Sequence, residues 1–386
     1  MSDLSKEELK RYSRHIILSG FGIEGQMKLK NSTVLVVGAG GLGCPVLLYL
    51  TAAGVGKIGI VDNDTLDITN LQRQVLYTVK DLGRKKAATS AERLSQLNPE
   101  LNFIPYDTRL SSENALEILR NYDVVVDCSD NFPTRYLLND ACVLLNKPLV
   151  HGAIIKFEGQ VAVFNYQKSD GSFSSNYRDI FPVPPDADSV LSCEEAGVLG
   201  VLPGMIGTIQ ANEVLKIIAG IGYPLCDRLL MIDSETMEQN IIKIKNQQTR
   251  VTITTLIDYE LFCGKSHDKN KSLRQDANIN SMKEITVEEL KELKESGQDF
   301  QLIDVREPHE YDICNLEGEL IPMGQIPNNV DKISKDKQVI VYCRSGRRSA
   351  DIISWLEKNH HLTNLYNLKG GILAWAREID PEMEMY

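Results

Sequence analysis

Thr33-Val34-Leu35-Val36-Val37-Gly38-Ala39-Gly40-Gly41-Leu42-Gly43 decides the fold of the larger part of the chain. Its first five residues are an uncharged, mostly β-branched run, which reads as a strand buried on both faces of a parallel sheet. A Gly-x-Gly-x-x-Gly turn follows, and Pro45 to Ala53 continues as a helix, with proline tolerated in the first turn. Gly54 and Gly56 end that helix, and Ile58-Gly59-Ile60-Val61-Asp62 supplies a second buried strand. Strand, turn, helix, strand and terminal acid make a βαβ unit of the nucleotide-binding type. Gly38, Gly40, Gly41 and Gly43 let the backbone approach a phosphate, and the helix N-terminus adds partial positive charge. Asp62 stands where a ribose hydroxyl would be bound. This stretch alone does not choose between a dinucleotide and a triphosphate.

The next segments favour the triphosphate. Asp62 to Gln74 crowds acids and amides beside the turn, Asp64 and Asn70 among them, then Arg73; Lys85 and Lys86 follow Gly83-Arg84. A dinucleotide is held mostly by backbone, whereas a triphosphate under attack needs cations for the developing charge and carboxylates for Mg²⁺. Tyr122 to Cys128 reads as a further buried strand. Asp127, Asp130 and Asn131 lie at its C-terminal end, where open α/β sheets gather ligand groups, and the two acids are candidate metal or ribose ligands. Helices over Lys86 to Leu97, Ser112 to Leu119 and Arg135 to Leu145 alternate with strands over Leu101 to Tyr106 and Pro148 to Gly152. The pattern predicts a Rossmann-like, doubly wound parallel sheet. From Gly159 the character changes, and Gln160 to Tyr166 is a strand of alternating type.

Length and composition bound the rest. At 386 residues the chain has room for about two domains. A net charge of -11 argues against a nucleic-acid binder that works by neutralising phosphates. Ser5 to Ile17 reads as a helix with a Ser5–Glu8 capping box. The N-terminus, Met1 to Leu18, has no apolar core and is not expected to be a signal peptide, and from the residues alone Arg14 is a solvated surface charge. Val198 to Ile221 is the most apolar region, but Pro203, Gln210 and Glu213 interrupt it, so it reads as a buried helix rather than a membrane span. Eight cysteines without a Cys-x-x-Cys pair read as free thiols in a reducing cytoplasm. A long polar loop, Gln167 to Ser189, delivers Cys193 to the start of an apolar helix, where a thiolate is stabilised. A reactive and a buried structural role for Cys193 weigh equally.

Residues 1–263 resemble the ubiquitin-activating-like superfamily, close to its MoeB/ThiF-type adenylyltransferases. The motifs are Arg11-Tyr12-Ser13-Arg14-His15, the glycine turn, Asp62-Asn63-Asp64, Asn70-Leu71-Gln72-Arg73-Gln74, Gly83-Arg84-Lys85-Lys86, Asp127-Cys128-Ser129-Asp130-Asn131 and Cys193-Glu194-Glu195-Ala196-Gly197-Val198-Leu199-Gly200. The resemblance implies that ATP activates the C-terminal glycine carboxylate of a ubiquitin-like sulfur carrier. It puts Gly41 on the phosphates, Asp62 on the ribose, Asn70, Arg73 and Lys86 on the phosphates, and Asp130 on Mg²⁺. It makes Arg14 a residue that reaches into a neighbouring subunit's site, which implies a homodimer. Many relatives hold zinc with two Cys-x-x-Cys pairs, the first flanking a Tyr-Arg. Here Asn176 and Asp179 flank Tyr177-Arg178, and Cys263 alone is left of the second pair, so no zinc is expected.

Gly264 to Asn280 is polar without apolar periodicity and reads as an exposed linker. Residues 281–386 form a second domain. Strand Gln338 to Tyr342 runs into Cys343-Arg344-Ser345-Gly346-Arg347-Arg348 and a helix over Ala350 to Lys358. Loop amides and the helix dipole face the sulfur and favour its thiolate; Arg344, Arg347 and Arg348 add positive potential. A tyrosine-phosphatase loop would want arginine where Ser349 stands. The six-residue loop, with Asp304-Val305-Arg306-Glu307-Pro308-His309-Glu310-Tyr311 and Gly370-Gly371-Ile372-Leu373-Ala374-Trp375, resembles the rhodanese sulfurtransferases, whose loop cysteine carries sulfur as a persulfide. The fusion implies that a Cys343 persulfide, loaded by a donor such as a cysteine desulfurase, turns an activated carrier into a thiocarboxylate. Molybdopterin synthesis leads, with thiamine, cysteine and tRNA thiolation compatible. The alternative is activation of a ubiquitin-like modifier for conjugation, with a rhodanese-like domain that only docks partners.

Overall fold

The computed structural model describes residues 4–185, 197–244, 251–263 and 282–384. Its contacts separate into two units, Met1–Lys269 and Asn270–Tyr386. Cys193 and the linker over 264–280 lie outside the described residues.

The first unit opens with α1 (Lys6–Arg11) and α2 (Ser13–Ile16). Ser5 and Glu8 close the expected capping box. The single helix expected over Ser5 to Ile17 is broken at Tyr12. That side chain is buried, and its hydroxyl accepts a hydrogen bond from Asn98 Nδ2 at 2.8 Å, so the chain bends to bring it inward. After α3 (Gly22–Asn31) come β1 (Thr33–Val37), α4 (Gly43–Ala53), β2 (Lys57–Val61), α5 (Lys86–Leu97), β3 (Asn102–Tyr106), α6 (Ala115–Leu119), β4 (Val124–Asp127), α7 (Phe132–Leu145) and β5 (Leu149–Ile155). β6 (Glu158–Phe164), α8 (Leu202–Ala219), β7 (Arg228–Asp233), β8 (Gln239–Lys243) and α9 (Tyr259–Phe262) complete it.

The sheet runs β3-β2-β1-β4-β5-β6-β7-β8. Its first five strands are parallel, and β6, β7 and β8 are antiparallel. The change comes where Ile155 pairs with Glu158 across a two-residue turn, too short for a crossover helix. Central strands bury both faces. Val34, Val36, Val124 and Val126 pack under α4 and α8, while Leu35, Val37 and Val125 pack under α6 and α7. Hence the β1 and β4 runs read as continuous apolar segments rather than alternating ones.

The Tyr177-Arg178 dipeptide is held in place by a buried ion pair. Arg178 donates from Nε and Nη2 to the two oxygens of Asp140 at 2.8 and 2.7 Å, between the rings of Tyr136 and Phe262. The Tyr259 hydroxyl donates to Asp140 Oδ2 at 2.8 Å. Both charged side chains are buried. Arg178→Ala would leave the buried Asp140 carboxyl without its cation, and unfolding of this unit should become easier by about 3–5 kcal/mol. Urea unfolding of the full chain, followed by tyrosine fluorescence, measures it; a midpoint unchanged from wild type would show the pair to be dispensable.

The second unit contains β9 (Glu284–Ile285), α10 (Val287–Ser296), β10 (Phe300–Asp304), α11 (Pro308–Ile313), β11 (Glu319–Leu320), β12 (Gln338–Tyr342), α12 (Arg347–His360), β13 (Leu365–Leu368) and α13 (Gly371–Glu378). Its sheet is parallel throughout, in the order β11-β10-β12-β13-β9. β12 is central and buried, so the loop after it opens at the middle of the sheet's C-terminal edge. The helix there starts at Arg347, three residues before the expected start, and runs to His360.

Candidate functional site

The glycine turn joins β1 to α4. Gly38 has φ +96°, a conformation glycine adopts without a steric penalty. A Cβ on Gly43 would meet the Gly38 carbonyl oxygen at 1.9 Å, so Gly43 is where helix and turn touch. The buried Tyr77 hydroxyl donates to the Ala39 carbonyl at 2.8 Å and fixes the turn from behind. Burial pushes the Cys44 thiol beneath it up to about 12, which makes Cys44 an inert hydrophobe.

A cavity of about 390 Å³ opens in front of the turn. It gathers Gly38, Gly40, Gly41, Asp62, Asp64, Asn70, Arg73, Lys86, Asp130 and Asn131 from segments spread over more than ninety positions. Gly43 lies behind the turn and does not line it. Asp62 accepts from Ala39 N and Asp64 N, each at 2.8 Å. Burial raises its carboxyl above the usual carboxylate range, against the opposing pull of Lys86. Lys86 is itself buried and donates to Asp64 Oδ2 at 2.9 Å. Arg73 Nη1 donates to the Thr69 carbonyl at 3.1 Å. Asp130 is exposed at the cavity wall, where Asn131 Nδ2 approaches its Oδ1 at 3.4 Å; Asn131 Oδ1 also caps α7 by accepting from Thr134 N.

Asp127 departs from the expectation of a ligand role. It is fully buried, and its oxygens accept from Ser129 Oγ at 2.6 Å and pair with His151 Nδ1 at 2.8 Å. Burial opposes its charge, but the His151 and Ser129 hydrogen bonds hold its carboxyl below the usual range. Burial lowers the His151 pKa, so this ring is neutral and donates its Nδ1 proton to Asp127. Asp127 shares the inner face of β4 with Val125. Asp130, three residues on and past the strand's end, is the acid that reaches the cavity. Arg14 is exposed and does not line the cavity.

In the second unit Cys343 is 1% exposed. Gly346 N donates to its Sγ at 3.2 Å, and the Ser349 hydroxyl, 2.6 Å from Asn367 Oδ1, lies 3.4 Å from the same sulfur. Ile372 N and Leu373 N, at the start of α13, donate to the carbonyls of Cys343 and Arg344 at 2.9 and 3.1 Å. The Gly370-Gly371 turn therefore braces the loop. Arg344, Ser345 and Arg347 are half-buried around it. Arg348 adds less potential than expected, because Glu310 clamps it with two bonds at 2.6 and 2.7 Å. Glu310 comes from the Asp304-to-Tyr311 motif, which is thereby tied to the loop. The same motif buries an Asp304–Arg306 pair at 2.7 Å.

Sequence reasoning passed over Arg135, Arg109 and Ser129 as cavity residues. In the sequence Arg135 marks only the start of a helix, and nothing in its spacing shows that it faces inward.

Residues 12–253 match the ThiF family, and residues 286–378 match the rhodanese-like domain. The chain is 43% identical over 388 residues to a probable adenylyltransferase/sulfurtransferase MoeZ of Mycobacterium tuberculosis, covering 100% of this chain and 97% of that one. It is 39% identical over 399 residues to adenylyltransferase and sulfurtransferase MOCS3 of Drosophila virilis, covering 99% and 86%. In fold it resembles E. coli MccB, solved with MccA-N7isoASN, at a TM-score of 0.55 and 23% identity over 63% of this chain and 73% of that one. Likeness along the whole length, with the glycine-turn cavity in one unit and the cysteine loop in the other, places the chain in the ThiF family with a rhodanese-like domain behind it, as an adenylyltransferase and sulfurtransferase in one polypeptide.

Proposed function

We propose that the cavity binds ATP and adenylates the C-terminal glycine carboxylate of a ubiquitin-like sulfur carrier, and that a Cys343 persulfide then converts the carrier to a thiocarboxylate. The observation that carries this reading is the convergence of Arg73, Lys86 and Asp130 on one glycine-turn cavity. A nicotinamide enzyme has no use for that set. Asp62 takes the ribose, the turn from Gly38 to Gly41 with Asn70, Arg73 and Lys86 takes the phosphates, and Asp64 aligns Lys86. Among the described residues no group of three or more His, Cys, Asp or Glu could hold a metal ion unaided. Asp130, exposed at the cavity wall, would hold the Mg²⁺ that accompanies the nucleotide, and the ion would offset phosphate charge there.

A carboxylate oxygen of the carrier bonds to the α-phosphorus, the bond from that phosphorus to the bridging oxygen breaks, and pyrophosphate leaves. The outer sulfur of the persulfide attacks the acyl carbon, the carbon–oxygen bond to AMP breaks, and an acyl disulfide forms on Cys343. A second thiol, with Cys193 the first candidate, attacks the Cys343 sulfur and frees the thiocarboxylate. A dithiol reductant then reopens the disulfide left behind. In this reading Arg14 serves the neighbouring subunit of a homodimer, and a cysteine desulfurase loads Cys343 in the cytoplasm. Residues 1–263 do the activation, 264–280 tether, and 281–386 carry sulfur without a structural zinc. Molybdopterin synthesis is the pathway we assign.

Mass spectrometry of molybdopterin-, thiamine- and tRNA-pathway carriers after incubation with ATP and a persulfide donor tests it. The molybdopterin carrier should exchange a C-terminal oxygen for sulfur. Attachment of a carrier to a protein lysine would instead establish conjugation.

A further inference from the structure

Arg135 stands on the first turns of α7 with less than a tenth of its surface exposed, and it lines the cavity. Among the described residues it makes no ion pair. Its Nε has no hydrogen-bond partner, and Nη2 reaches the Ser129 carbonyl only at 3.4 Å. The Phe132 ring lies 5.3 Å away, and the Tyr177 hydroxyl is within hydrogen-bonding reach of the guanidinium and feels its charge, which still leaves Nε unmatched. The acid whose charge it feels, Asp127, has both oxygens taken by Ser129 and His151. A guanidinium shut away from water with donors unused is costly unless an anion completes it.

The sheet order says which anion. Crossing the cavity, the lining comes from Leu110 after β3, Asp62 at the end of β2, the glycine turn after β1, Arg135 beyond β4, and Ile154 on β5. The ribose acid lies on one side of the turn. The phosphate cations Arg73 and Lys86 come from the segments after β2. Arg135 lies on the opposite side of the turn, beside the apolar Ile154 and Val198. A nucleotide spread from Asp62 to the turn leaves that side for the acceptor.

We infer that Arg135 is the receptor for the acceptor's attacking carboxylate, gripping a peptide C-terminus whose backbone passes Ile154 and Val198. The inference rests on the adenylation reading and adds the substrate half of the site. A planar guanidinium matches a carboxylate in a bidentate grip, and it leaves one oxygen lone pair for the α-phosphorus. The grip must loosen as that oxygen–phosphorus bond forms and the oxygen's charge passes to the departing pyrophosphate.

The test measures dissociation constants for the carrier and for the same carrier ending in a carboxamide, with a non-hydrolysable ATP analogue present. Wild type should prefer the carboxylate. Arg135→Gln should bind both forms alike, with the KM for carrier in pyrophosphate exchange raised roughly 30-fold or more and ATP affinity held within about threefold. Arg135→Lys should recover part of the preference and keeps the test usable where the glutamine variant folds poorly. A carboxylate preference unchanged in both variants overturns the inference. Wild type that prefers the carboxylate but exchanges no pyrophosphate would overturn the adenylation reading, whereas loss of that preference in Arg135→Gln would still support the receptor.

Discussion

Cys343→Ala is expected to lose all thiocarboxylate formation while retaining carrier-dependent pyrophosphate exchange. Thiosulfate-to-cyanide sulfur transfer should fall below about one-thousandth of wild type, since a covalent carrier has no substitute once its nucleophile is removed. The packing around the site predicts that the variant folds. Ser349 keeps Asn367 as a hydrogen-bond partner at 2.6 Å, and Arg348 keeps Glu310. The backbone bonds from Ile372 and Leu373 involve the carbonyls of Cys343 and Arg344 and survive the substitution. Parallel assays of exchange and thiocarboxylate on one preparation separate the half-reactions. Loss of exchange together with transfer would mean that the two units do not divide the chemistry as proposed.

Lys86→Met should give the opposite pattern. The methionine keeps most of the buried stem but removes the charge from the cavity, and loss of one preorganised electrostatic contact costs about 10²–10³ in rate. Exchange should fall by that factor while thiosulfate-to-cyanide transfer at Cys343 stays within about twofold. Lys86 also favours the charged form of Asp62, which burial disfavours. Without it the Asp62 carboxyl moves further up. An acid with a raised pKa binds its proton more readily as pH falls, so the variant's nucleotide affinity should decline at a higher pH than that of wild type. Nucleotide titrations across the weakly acid range read this out; identical pH profiles would detach Lys86 from Asp62.

The parts of the fold legible in the sequence are those where a short-range pattern has one physical solution. The runs at Thr33–Val37 and Val124–Asp127 are apolar on both faces, and the glycine turn fits few backbones. The Ser5–Glu8 capping box formed as spaced. What was not legible depended on the direction of a side chain. Asp127 and Asp130 look alike in the sequence, yet strand alternation turns one into the core, and chain beyond the strand end carries the other to the cavity. Tyr12 breaks a helix to reach Asn98, a partner 86 positions away that helical spacing does not reveal. Arg348 reads as free positive charge until Glu310, 38 residues upstream, folds against it. Arg135 carries no local mark at all, and only burial beside a cavity singles it out.

The near-complete burial of the Cys343 sulfur has a consequence for how the enzyme survives between turnovers. A sulfur carried there would extend beyond Sγ by one bond of roughly 2 Å. The atom that grips would stay inside the protein, and the atom to be surrendered must point toward solvent if an acceptor is to reach it. Peroxide or an alkylating agent would then meet the load before the holder. Damage would fall on a replaceable atom, and a reductant that stripped it would return the cysteine intact.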